Sequence, residues 1–137
     1  LCVTPVLRLT GISLMRFRRA LGLLGFGYVL LHLGVWLLLD IQLRWGEIAK
    51  DIVKRPYITI GMVAFVLLIP LALTSTDRAM RRLGPVAWRR LHRLAYAATF
   101  LGGVHYLMVV KAWPPQPIVY LMAILCLLAI RLAWIRR

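Results

Sequence analysis

Acidic residues are nearly missing from this sequence: Asp40, Glu47, Asp51 and Asp77 stand against 18 Lys and Arg, for a net charge of +14. All four lie in or beside the polar breaks of the chain, so no carboxylate chain is available for a proton pathway through an apolar run. Cysteine is scarce too. Cys2 and Cys126 each stand alone in an apolar setting, read as small packing residues, and they say nothing of redox compartment. The patterns H-E-x-x-H, G-x-S-x-G, G-x-G-x-x-G and the phosphate-binding P-loop are all missing, which leaves no support for a zinc hydrolase, a serine nucleophile or a nucleotide fold. A zinc site is further disfavoured because no carboxylate or thiol accompanies the intramembrane histidines.

What fills the sequence instead is apolar surface. Of 137 residues 62% are hydrophobic, with mean hydropathy +0.83, well above a soluble domain. Four runs, roughly 20–39, 57–74, 91–111 and 117–135, are each near the ~20 residues that a helix needs to cross a bilayer. The expected fold class is therefore all-α: a polytopic transmembrane bundle of about four spans forming one domain over 1–137. The opening "LCVTPVLRLTG" reads as the remnant of an earlier span, so N-terminal truncation is expected.

High positive charge raises nucleic acid as a partner, but here the bases flank apolar runs and form no basic domain, so none is expected. They read as a topology signal. Arg8, Arg16, Arg18, Arg19, the loop bases Arg78, Arg81, Arg82, Arg89, Arg90 and Arg93, and Arg131, Arg136 and Arg137 put thirteen on one side. Arg44, Lys50, Lys54, Arg55 and Lys111 put five on the other, partly offset by Asp40, Glu47 and Asp51. The arginine-rich loops and C-terminus are expected in the cytoplasm. "RWGEIAKDIVKR" reads as a short interfacial helix and "WPPQP" as a tight outer turn. Trp45, Trp88, Trp113 and Trp134 suit interface anchors.

Histidine carries the functional signal. A titratable ring inside a span is costly and is a functional candidate by default; the competing reading is a neutral ring bonded to a neighbouring helix. His32 follows Arg18 by 14 residues and His105 follows Arg90 by 15. At 1.5 Å per residue both rings lie about 20 Å from the arginine-rich end. Two imidazoles at one depth suit a six-coordinate haem iron. His92 lies at the mouth of the third run, level with Arg18, whose guanidinium is no metal ligand; bis-histidine ligation is thus not available there. In one continuous helix His92 and His105 would also point about 140° apart. Tyr28, Trp36, Tyr96, Phe100 and Tyr106 are aromatic candidates for a porphyrin edge, with ordinary packing as the default.

The stretches "RRALGLLGFGYVLLHL", "KRPYITIG", "ALTST", "WRRLHRLAYAATFLGGVHYLMVVK" and "PQPIVY" run in order across nearly the whole chain. In them the sequence resembles the MsrQ (YedZ) family, haem-binding membrane subunits of methionine sulfoxide reductase systems, within the ferric-reductase-like transmembrane domains. The resemblance implies haem b, one or two per chain, with His32, His105 and His92 as iron ligands. Arg18 stands where related oxidases have a fourth histidine. It implies inner-membrane electron transfer from quinol or a cytosolic flavin reductase, with FMN and quinone as further cofactors, to a periplasmic molybdenum-containing MsrP-like partner that repairs oxidised proteins. Arg78, Arg81, Arg82, Arg89 and Arg90 are candidates for reductase docking or propionate contacts. The readings weighed against this are a ferric reductase, a quinol-linked cytochrome b, a small transporter and a structural assembly subunit.

Overall fold

The computed structural model describes residues 2–110 and 114–135, with Ile135 described by its backbone alone. Lys111, Trp113, Arg136 and Arg137, which entered the topology count and the turn reading above, lie outside the described residues. Among the described residues seven α-helices follow in order: α1 (Val3–Thr10), α2 (Arg18–Val35), α3 (Trp45–Lys54), α4 (Pro56–Leu73), α5 (Asp77–Leu91), α6 (Leu94–Val109) and α7 (Pro115–Ile135). Among the described residues there is no strand.

Among the described residues three segments are long and apolar enough to cross a membrane: Met15–Asp40, Pro56–Leu73 and Pro115–Trp134. α6 is apolar but shorter, with 16 residues, about 24 Å of helix. The run expected over 91–111 does not form one helix, because the chain turns at His92 and Arg93 before α6 begins. The basic stretch before it, read above as a loop, is helical: α5 runs from Asp77, capped by the Thr76 hydroxyl, to Leu91. It bends at Gly84, whose φ of 76° is open to a residue without Cβ, followed by Pro85. Its apolar side chains Met80, Leu83 and Val86 are exposed, as suits a helix lying in the interface. The interfacial helix expected around 44–55 is α3, with Trp45 and Val53 exposed.

α6 is the centre of the bundle. It packs most extensively on α4 and next on α7, while α2 leans on α4 and α1 on α7. Small residues make this approach possible: Ala64 on α4 and Ala98 and Gly103 on α6 are buried, the usual solution where lipid removes any hydrophobic drive between helices. Phe26 of α2 stacks on Phe65 of α4 at 6.0 Å. Outward, Leu24, Leu31 and Leu39 are about two-thirds exposed or more, a surface made for acyl chains. Cys2 and Cys126 are free and exposed rather than packed inside. α2 ends in a π-helical turn, Trp36–Asp40, followed by Gln42 and Leu43 at φ 52° and 56°.

The α6–α7 seam is tight at one point. A Cβ on Gly103 would meet Ile124 Cδ1 at 3.0 Å and Leu121 Cδ1 at 3.1 Å. Gly103→Ala is expected to be nearly neutral, because both atoms are flexible side-chain ends. Gly103→Val is expected to cost about 1–3 kcal/mol, read as a lower melting temperature in detergent.

Candidate functional site

The depth argument brings two rings to the same place. The His32 and His105 ring centroids are 6.2 Å apart with planes at 74°. Two imidazoles on opposite sides of one metal, with metal–nitrogen bonds of about 2 Å, have centroids about 6 Å apart. The pair therefore has the spacing of two axial ligands.

His105 is held by α4. Its Nδ1 lies 2.7 Å from the carbonyl oxygen of Tyr57. A carbonyl only accepts, so Nδ1 carries the proton and Nε2 keeps its lone pair. That is the tautomer a metal-ligating histidine needs. The ring reaches the carbonyl because the residue one helical turn later is Gly61. A Cβ there would stand 2.8 Å from His105 Nδ1 and 2.9 Å from Cε1. The Tyr57 ring lies 6.4 Å from the imidazole. His32 makes no side-chain hydrogen bond among the described residues, and it is exposed on α2, whose helix contacts are sparse.

His92 is arranged differently. The Thr74 hydroxyl donates to the carbonyl of Pro70 at 2.6 Å. Its oxygen therefore accepts from His92 Nε2, 3.2 Å away. Trp88 Nε1 donates to the Thr74 carbonyl at 2.9 Å, and the Trp88 and His92 rings stack at 3.8 Å. These contacts pin the turn before α6 onto the end of α4. They leave only Nδ1 of His92 bare. His92 sits in that turn, outside the spanning helix, where burial and then the charge of Arg18 lower its pKa from the ordinary histidine value and favour the neutral ring.

Arg18 and His92 do share a site, as their matched depth implied. Both line a cleft of about 510 Å³ with Arg89, Arg90, Arg93 and Arg131. Among the described residues His92 is the only imidazole that lines this cleft, so no second histidine stands opposite it there. Gly84 splits the five candidate docking arginines: Arg89 and Arg90 join the cleft, whereas Arg78, Arg81 and Arg82 are exposed on the other half of α5. The aromatic candidates also divide. Tyr96 lines the arginine cleft and Trp36 a second cleft at the opposite end, with Asp40, Glu47 and Asp51. Tyr106 pairs with Tyr120 of α7, and Tyr28 is 80% exposed.

Tyr57, Gly61, Thr74, Arg93 and Arg131 were not singled out from sequence. Trp88 at four residues before His92 was the one local signal of that stack. A bare glycine opposite a histidine has no signal until the helices are paired.

Comparisons with known proteins agree with this architecture. Residues 2–103 match the family described as ferric reductase like transmembrane component. Over 133 residues, 97% of this chain, it is 50% identical to proteins from Brucella ovis, Brucella canis and Brucella melitensis biotype 2, each named protein-methionine-sulfoxide reductase heme-binding subunit MsrQ. The chain spans about 60% of the length of those relatives. No solved structure matches it.

The His92 turn makes a pH prediction. Because the folded-state pKa is depressed, its contribution to stability is present above the ordinary value near 6.5 and is lost as pH falls through the folded value. Melting temperature measured downward from pH 7 should drop more steeply in the native chain than in His92→Gln; equal slopes would remove His92 from the pH dependence.

Proposed function

The chain belongs to the ferric-reductase-like transmembrane component family, and from that premise we propose that it is a haem b electron-transfer subunit serving a methionine sulfoxide reductase. The observation that carries this reading is the His32–His105 pair, 6.2 Å between centroids, with Nε2 of His105 freed by the bond from Nδ1 to Tyr57. The residues fit one haem at this level, with His32 and His105 as its iron ligands. A haem bound there would supply one-electron redox chemistry at a potential set by ligands, burial and hydrogen bonding.

The chain's own residues do the rest. Tyr57 and Gly61 hold the His105 ring at one angle and in one tautomer. The apolar lengths of α2, α4 and α6 exclude water and give the site a low dielectric. His92 and Arg18 form the mouth on the arginine-rich side, taken here as cytoplasmic from the charge asymmetry. Quinol or a cytosolic flavin reductase would deliver electrons on that side, with the exposed Arg78, Arg81 and Arg82 attracting an acidic donor. The opposite end, with the carboxylates of Asp40, Glu47 and Asp51 around one cleft of about 360 Å³, would face the periplasmic reductase. That partner follows from the names of the relatives, which are called subunits of a protein-methionine-sulfoxide reductase.

Two outcomes test the assignment. His32→Ala and His105→Ala should each abolish the same reducible Soret and α-band signal in purified, folded protein, and His92→Ala should leave that signal in place. A haem signal that survives His32→Ala unchanged would separate the pair. Gly61→Ala should push His105 off the Tyr57 carbonyl and lower haem content several-fold while far-UV circular dichroism stays helical. Full haem occupancy with an unchanged spectrum would show that the cradle is not needed.

A further inference from the structure

We propose that the arginine cleft between α2, α5, α6 and α7 binds the phosphate headgroup of an anionic phospholipid. Five guanidinium groups from separate parts of the chain surround it: Arg18 of α2, Arg89 and Arg90 of α5, Arg93 of the following turn and Arg131 of α7. None of the five has a carboxylate within 4 Å among the described residues, where the ion pairs are Arg19–Asp77, Lys50–Glu47 and Arg55–Asp51. Asp77 is the only acidic residue near this end, and Arg19 already holds it at 2.5 Å. The other three line the opposite cleft. Among the described residues no acidic side chain supplies the counter-charge for the arginine cleft.

The geometry of the donors selects the anion. A guanidinium presents a planar fork that matches phosphate oxygens two at a time, and several forks converge here. The position selects a lipid as its source. The cleft opens where the apolar parts of α2 and α6 begin, and its remaining wall is Val86, Trp88, His92 and Tyr96. The Arg131 guanidinium carbon lies over the Tyr96 ring, 5.1 Å from its centre, and its Nη1 donates to Thr4 Oγ1 at 3.2 Å. On the Arg89 and Arg90 side of the Gly84 bend α5 exposes Val86, and on the other side Met80 and Leu83, apolar side chains suited to acyl chains at headgroup depth. A basic pocket between spanning helices at that depth is a headgroup site by its physics. It also explains why a chain so short of acidic residues tolerates five arginines around one space.

The test uses the full chain in nanodiscs of phosphatidylcholine with or without phosphatidylglycerol, followed by release and native mass spectrometry to count retained lipid. The native protein should retain at least one phosphatidylglycerol and melt higher in discs that contain it. Arg90→Gln with Arg93→Gln should lower retention about tenfold. Arg78→Gln with Arg82→Gln, on the other half of α5, should not change it. Should the cleft glutamines disturb folding by circular dichroism, the corresponding lysine pair, which keeps the charge and loses the fork, decides: a several-fold loss supports the site and unchanged retention overturns it. Equal loss in the two glutamine pairs would mean diffuse surface attraction and overturn it. Displacement of the lipid by inorganic phosphate at equal potency would make this a soluble-phosphate site and overturn the lipid assignment.

Discussion

The hydrogen bond from His105 Nδ1 to the carbonyl of Tyr57 ties together the packing, the tautomer and the chemistry of this bundle. A polar ring among apolar helices must find a partner or pay a heavy desolvation cost. Here the partner is a backbone carbonyl at the start of α4, reachable only because Gly61 leaves the helix surface bare one turn later. The same contact draws α6 against α4, which is the most extensive helix pairing in the molecule. It also decides which nitrogen is left over. The bond that satisfies the membrane's demand therefore also leaves His105 Nε2 free for the proposed iron.

Charge is distributed around that centre in a way the bilayer explains. Fourteen units of net positive charge would strain a compact soluble domain, but here most of it lies at one end of the spans. At that end aromatic faces help to hold it: Arg131 over Tyr96 and Arg8 over Trp134. The opposite end is mixed, with Lys50–Glu47 and Arg55–Asp51 pairs along α3 and its exit. Such exposed pairs contribute little to stability. They give the two ends of the bundle different character.

Much of this was legible from residue spacing. Counting from arginine to histidine placed His32 and His105 at one depth, and the structure brings their rings together. The long apolar runs gave α2, α4 and α7, and the helical spacing in 44–55 gave α3. The third run was misjudged at its start because hydropathy cannot see Thr74 and Trp88 reaching across to capture His92. That capture turns the chain at His92 and Arg93, so the 140° disagreement between His92 and His105 belonged to a helix that does not exist. Gly61 escaped notice for a related reason: what matters is the side chain that would collide, and that side chain belongs to another helix. Arg131 could not be joined to Arg18 and Arg93 by any local pattern, since α7 returns to that end only through the fold.

The central claim is that His32 and His105 hold a single haem from opposite sides with their rings crossed. Electron paramagnetic resonance of the oxidised, purified chain, combined with haem-to-protein stoichiometry, tests it most directly. Strong low-spin ligation by two imidazoles whose planes stand at 74° predicts one haem per chain and a highly anisotropic low-spin ferric signal. A high-spin signal, or folded protein that takes up no haem when haem is supplied during expression, would contradict it.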